Sequence, residues 1–279
     1  MSKSLSPTEY ENNLLIVDGL NLAFRWKHSG ARKFYKEYLS TVQSFRKSYK
    51  AKYVVIATDS GKSSYRKSIY PEYKGDRDKK YSEQSESEKQ IFQMFLEDYK
   101  ESLKYIEDNS DIIVLEFDKT EADDIATYIS CKYYLNFDYV WLLSTDEDWD
   151  LMLQDNMSRF SYVSKKEFSI ENWHTHYDYP FDKHLSIKCL IGGEDNIKGV
   201  PGIGPKRAVE LVSKYGDIFS IIDSIPIASK FKFISELNKF KDTLLLNIEL
   251  MDLVSYHKEA LGTKSMEIID NKIRSLLYG

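Results

Sequence analysis

Four short apolar runs each close in an acid, and this repetition narrows the possible folds more than any other feature. Residues 13–17 lead into Asp18, and residues 53–57 into Thr58 and Asp59. The run 111–117 is followed by Glu121-Ala122-Asp123-Asp124. The run 139–143 leads into Ser144-Thr145-Asp146-Glu147-Asp148-Trp149-Asp150. Short unbroken apolar runs read as strands buried on both faces, as in a parallel sheet.

The segments between these runs read as helices. Residues 31–50 place Phe34, Tyr38, Val42 and Phe45 on one face, and 85–109 do the same with Phe92, Phe95, Leu96, Tyr99 and Leu103. The helix opening at Glu121 buries Ala122, Ile125, Ala126 and Ile129. Residues 159–163 and 167–170 read as a hairpin or edge strands. Right-handed crossovers bring the carboxyl ends of parallel strands to one sheet edge, where ligands bind in α/β folds. Acids there repel one another unless cations fill the space between them. Carboxylate oxygens suit Mg²⁺ or Mn²⁺ better than Zn²⁺, and there are too many for one ion. Acids in a helix's first turn also suit its dipole and its free N–H groups. That explains one or two of them, not their recurrence after each strand. Asp123 and Asp124 point about 100° apart around the helix and cannot play the same role.

Net charge is −5, which alone argues against a nucleic-acid partner. Its distribution argues the other way. Residues 62–80 carry seven bases against three acids, with Tyr65, Tyr70 and Tyr73 interleaved. Positive charge neutralises phosphates, and aromatic rings stack on unpaired bases. Beyond about residue 181 the strand–helix alternation stops, and helices are expected over 185–191, 205–215, 217–224, 229–239, 240–252 and 264–277. Between the first two lies Gly199-Val200-Pro201-Gly202-Ile203-Gly204-Pro205-Lys206-Arg207. Glycines before a helix N-terminus let backbone N–H groups approach a phosphate. No apolar run approaches the roughly 18 residues of a membrane span, and no signal-peptide core precedes residue 13, so a cytoplasmic protein is expected. Cys131 and Cys189 read as reduced and buried, and His174 and His176 as surface or packing residues.

Five motifs in order carry a family resemblance: Ile16-Val17-Asp18-Gly19; Pro71-Glu72-Tyr73-Lys74-Gly75-Asp76-Arg77; Glu121-Ala122-Asp123-Asp124; Ser144-Thr145-Asp146-Glu147-Asp148; and Asp195-Asn196-Ile197 with its glycine turn. From about residue 14 to 225 the chain resembles the 5′-nuclease, or flap endonuclease, family, most closely its small bacteriophage members. The resemblance implies an α/β, PIN-like nuclease domain over 12–182, with a mainly parallel sheet, flanking helices and a helical arch at about 60–109. It implies a helical duplex-binding subdomain over 183–279, with a helix–three-turn–helix motif at about 185–215. Glu121, Asp123 and Asp146 would hold one Mg²⁺ or Mn²⁺ ion, with Asp18 and Asp59 near it. Asp148 and Asp195 would serve a second ion, and Asp124 would be an extra carboxylate. Lys74 and Arg77 would reach the scissile phosphate, and Tyr73 would stack near the reacting nucleotide. Arg25, Lys62, Arg66 and Lys67 would contact DNA, as would Gly199, Gly202, Ile203, Gly204, Lys206 and Arg207 around the turn, where related turns hold K⁺.

The implied activity is cleavage of 5′-flap, branched or nicked duplex DNA, with 5′-3′ exonuclease activity. It would run by a two-metal mechanism giving 5′-phosphate and 3′-hydroxyl, in a monomer that meets replication proteins in trans. One departure stands out. The family pattern Gly-Asp-x-x-Asp-Asn-Ile is a residue shorter here, as Gly192-Gly193-Glu194-Asp195-Asn196-Ile197. Only Glu194 stands in for the missing first Asp. A PIN-type ribonuclease acting on single-stranded RNA, or a non-catalytic DNA-binding module, would share part of this pattern. The basic arch and the turn disfavour the first, and the retained acids disfavour the second.

Overall fold

A computed structural model describes residues 11–193 and 195–278. The elements run β1 (Glu11–Asp18), α1 (Gly19–Ser29), α2 (Tyr35–Ser48), β2 (Ala51–Thr58), α3 (Ser64–Ile69), α4 (Gly75–Ser82), α5 (Glu86–Asn109), β3 (Ile113–Glu116), α6 (Ala122–Tyr133), β4 (Tyr139–Leu143), β5 (Met157–Ser161) and β6 (Lys166–Phe168). Six helices follow: α7 (His184–Ile191), α8 (Pro205–Tyr215), α9 (Ile218–Asp223), α10 (Lys232–Lys239), α11 (Lys241–Met251) and α12 (Leu253–Tyr278). The strands form one sheet in the order β3-β2-β1-β4-β5-β6. All neighbours are parallel except the β5–β6 pair.

Strand β1 shows why this sheet forms. Leu14 and Ile16 face one way, into a core shared with α6 and α12. Leu15 and Val17 face the other way, against α1, α2 and α5. Period-two alternation of large apolar residues on both faces is what a central strand of a three-layer α/β domain requires. Strand order reverses between β1 and β4, and such a switch point opens a crevice beyond the strands' carboxyl ends.

Helices α3, α4 and α12 add to the sequence reading. Within the expected arch, residues 60–83 form two short helices. Ser63 caps α3 by accepting from Arg66 N, and Asp76 and Asp78 in the first turn of α4 suit its dipole. Helix α5 starts in a capping box between Ser85 and Glu88. Its second half packs on the sheet through Phe95, Tyr99, Leu103 and Ile106, so it is arch at one end and layer helix at the other. The last helix begins at Leu253 and is interrupted at Gly262, where φ 69 and ψ 160 are not helical. The same helix crosses back over the expected division at 183. Leu253, Leu261, Ile269 and Ile273 of α12 join the core of the sheet domain, not that of the helical subdomain. The subdomain core is built from α7 to α11. Cys131 and Cys189 are free thiols, the second buried. Among the described residues no helix is long and apolar enough to cross a membrane.

Gly19 follows Asp18 because the chain turns there under a crowded roof. A Cβ at Gly19 would strike the Tyr99 hydroxyl and lie 2.8 Å from Ile56 Cγ2 and 3.2 Å from the Ala57 carbonyl oxygen. Tyr99 meets Thr58 Oγ1 at 2.5 Å, and Tyr38 donates to Gly19 O at 2.8 Å. Gly19→Ala is expected to destabilise the fold by about 1–3 kcal/mol through overpacking, read as a lower urea midpoint at unchanged slope.

Candidate active site

The strand-end acids meet at one edge. Asp18, at the end of β1, caps α1 through Asn21 N (3.3 Å) and accepts from Ser144 Oγ at 2.6 Å, just past β4. Asn21 bonds Thr145 through both its amide nitrogen and its oxygen. These bonds fasten the loop after β1 to the loop after β4. Asp146 then caps the next turn, accepting from Asp148 N at 2.9 Å. Asp59 accepts from Ala122 N at 2.9 Å, which fixes the start of α6. The buried indole of Trp149 donates to Asp123 Oδ1 at 2.7 Å. Asp18, Asp59, Asp123, Asp146, Asp148 and Asp195 all line one cavity of about 370 Å³, together with Lys74 and Arg77.

Burial and neighbouring charge raise the proton affinity of Asp18, Asp59, Asp123 and Asp146. Burial, with Asp59 beside it, pushes Asp18 well above the ordinary carboxylate range. Burial, with Asp146 beside it, does the same to Asp123. Asp146 opens on the cavity, yet the surrounding protein and the neighbouring Asp148 push it up to about 6. Among the described residues no three such side chains converge on one point tightly enough to grip an ion. They line the walls instead, and side-chain cations bridge them. Lys188 pairs with Asp148, and Arg77 meets Asp195 at 2.8 Å. Lys74 Nζ lies 2.8 Å from Glu121 and 3.7 Å from Asp195. An all-oxygen donor set with mutually raised proton affinities fits hard divalent cations.

Glu121, expected as a metal ligand, is buried behind the cavity wall and does not line it. Burial pushes its carboxyl up, but Lys74 and Arg66 outweigh that and hold it below the usual range. It also accepts from Ser63 N at 3.1 Å and Tyr73 Oη at 2.9 Å.

Relatives place this geometry. Residues 13–178 match the family described as 5′-3′ exonuclease, N-terminal resolvase-like domain, and residues 181–271 match 5′-3′ exonuclease, C-terminal SAM fold. The chain belongs to the 5′-3′ exonuclease family. It is 37% identical to the flap endonuclease of Escherichia phage T5, over 95% of this chain and 91% of that protein. The structure of a T5 5′-exonuclease with bound divalent zinc superimposes with a TM-score of 0.90 at 36% identity, covering 95% of this chain and 99% of that one. A bacteriophage T5 flap endonuclease in a pseudo-enzyme–product complex with DNA and metal ions gives 0.89 at 36% identity, covering 96% and 100%.

Several residues of this 5′ nuclease stand elsewhere than their sequence implies. Arg66 is 2% exposed and is not a DNA-facing base. It forms a two-pronged pair with Asp124, both bonds 2.8 Å, and donates to Leu250 O at 3.1 Å. Asp124 is thereby spent on Arg66 and is turned away from the cavity. Tyr73 is 4% exposed, packed in the helical subdomain's core, with its hydroxyl on Glu121. It lines the cavity with only the little surface that this burial leaves for a stacking base. Lys62 pairs with Asp78 and donates to Lys74 O, and Lys67 donates to Pro71 O. Around the glycine turn, Ile203 is buried in the subdomain core, and a Cβ at Gly199 would overlap the Ile191 carbonyl. Gly202, Gly204, Lys206 and Arg207 are exposed there, as is Arg25 on α1. Glu194 lies outside the described residues.

The sequence reading missed Asn21, Ser144, Trp149 and Lys188. The first three sit inside or next to its own motifs, so polar residues flanking the acids were the available signal. Lys188 had none, being one base in an apolar helix.

Arg66→Ala would leave Asp124 buried and unpaired. A loss of about 3–5 kcal/mol is expected, measured by urea unfolding. The raised carboxyls give a pH test in EDTA. A folded proton affinity above the unfolded value means the native state binds more protons, so stability falls as pH rises across that window. Asp146→Asn lacks the charge and should gain on the wild type as pH rises from about 4 to about 6, read as the difference between their melting temperatures.

Proposed function

We propose that this nuclease is a metal-dependent enzyme that cleaves 5′-flap, branched or nicked duplex DNA and degrades 5′ ends, leaving 5′-phosphate and 3′-hydroxyl. The observation that carries the reading is the carboxylate-lined cavity, walled on one side by the arch base and on the other by the helical subdomain. Asp18, Asp59, Asp123, Asp146 and Asp148 would hold two Mg²⁺ or Mn²⁺ ions, with Asp195 reaching in from the subdomain. Such ions supply Lewis acidity and make water nucleophilic near neutral pH.

The chain's own groups do the remaining work. Lys74 and Arg77 present fixed positive charge to the cavity, where phosphate oxygens gain negative charge during in-line attack. Trp149 holds Asp123, and the Ser144 and Asn21 bonds hold Asp18 and the loop that carries Asp146. Lys206 and the exposed glycines of the turn meet the duplex backbone. Carbonyls of the turn would hold a potassium ion once Arg207, which donates to Gly202 O at 2.5 Å, swings aside. Asp195 is shared with Arg77 and Lys74, so the second ion is held more loosely than the first. Mn²⁺, the stronger binder of such ligands, should support activity at lower concentration than Mg²⁺. The enzyme would act as a cytoplasmic monomer in primer or flap removal during replication.

A labelled 5′-flap DNA, a single-stranded RNA and EDTA controls test this reading. Metal-dependent cutting of the flap alone is expected, and preferential cutting of the RNA would overturn the assignment. Asp146→Ala should abolish cleavage while DNA still binds. Lys74→Ala should slow single-turnover cleavage by about 10²–10³-fold. Lys206→Ala should weaken duplex binding and reduce its salt dependence by about one phosphate contact.

A further inference from the structure

We infer that Asn196 is a positioning residue: it clasps the base of the arch to the Asp195 loop and so determines where the Lys74 ammonium stands. The inference rests on the function proposed for Lys74. Two distant stretches, 70–75 and 195–196, are joined by three hydrogen bonds. Asn196 Nδ2 donates to Glu72 O at 3.1 Å, Lys74 N donates to Asp195 O at 3.2 Å, and Tyr70 Oη donates to Asn196 O at 3.3 Å.

Both sides of the clasp are in the left-handed backbone region. Asn196 has φ 65, and Lys74 has φ 54 and ψ 22. Asparagine visits that region readily, whereas lysine does so only when its surroundings hold it there. Lys74 is held by the clasp, by Lys62, whose Nζ donates to Lys74 O at 2.9 Å, by Arg77 N, which donates to the same oxygen at 3.2 Å, and by its own ion pair with Glu121. The approach is close, since a Cβ on Gly75 would lie 3.3 Å from Asn196 Nδ2.

The backbone angle at Lys74 decides where its side chain leaves the chain. In the observed conformation Nζ reaches Glu121 Oε1 at 2.8 Å and lies 3.7 Å from Asp195 Oδ2. A return of Lys74 to an ordinary negative φ would swing that side chain off the cavity wall. The Asp195 loop has its own anchor in Ile197, buried in the subdomain core. Removing the Asn196 amide should therefore loosen the arch base without unfolding the loop.

The test uses Asn196→Gly, which keeps the left-handed turn but lacks the donor, and Asn196→Asp, which keeps the shape but turns an acceptor toward Glu72 O. Hydrogen exchange is measured on the full chain without DNA or metal. Amides of residues 74–77 should exchange about tenfold faster in both variants. Single-turnover cleavage of a 5′-flap DNA should fall by about tenfold, the scale of one lost hydrogen bond. Affinity for a nicked duplex in EDTA should not change, and the melting temperature should fall by no more than about 2–4 °C.

Wild-type exchange at 74–77 in both variants would overturn the clasp. Faster exchange with wild-type cleavage would overturn its link to Lys74. A fall in cleavage that only tracks a fall in melting temperature would show a role in stability instead. If the wild type itself leaves flap DNA uncut, the functional reading fails, while the exchange result still decides whether the clasp exists.

Discussion

Carboxylates at a shared sheet edge repel one another, and the surrounding structure is arranged to keep them there. Asp18, Asp123 and Asp146 stand close enough, and deep enough, that each is pushed toward its protonated form. Left to themselves such groups would splay toward water. Ser144 and the Asn21 amide hold Asp18, Trp149 holds Asp123, the Asp148 amide holds Asp146, and the Ala122 amide holds the neighbouring Asp59. Mutual repulsion among these acids favours any positive group that enters between them, and Lys74, Arg77 and Lys188 already stand there.

The second constraint is the joint between the two parts of the chain. Arg66 leaves the arch, pairs with Asp124 on α6 and reaches the Leu250 carbonyl at the end of α11. A buried ion pair is weak evidence for net stability, but breaking one is expensive. Arg66 therefore fixes how the arch, the carboxylate helix and the subdomain meet. Tyr73 works at the same joint, its ring in the subdomain core and its hydroxyl on Glu121. Helix α12 then returns across the subdomain's exit to cover the sheet.

Much of the scaffold was legible in the sequence. Apolar runs and acidic ends gave the positions of β1 to β4 and their shared edge, because period and burial follow directly from side-chain chemistry. The five ordered motifs named the family, and comparison with relatives agrees. The arch was less legible. Helices α3 and α4 rest on caps and first-turn charges rather than on apolar periodicity, so the basic, tyrosine-bearing stretch did not reveal their bounds. The long last helix was read as starting eleven residues late, since the stretch before Gly262 gave no clear helical stripe.

The sequence by itself determined the chemical character of this protein: a parallel sheet with acids at its strand ends, a basic tyrosine-rich insertion and a glycine turn ahead of a helix. Those features depend only on residue type and spacing. The tertiary structure alone decided which charges face the cavity and which are spent on each other. Arg66 and Lys74 are both basic residues in one basic stretch, yet one is sealed against Asp124 and the other stands among the site carboxylates. Tyr73 reads as a stacking ring until the subdomain closes over it. Partner choice among like-charged residues depends on contacts between segments far apart in the chain, and spacing within a segment does not encode them.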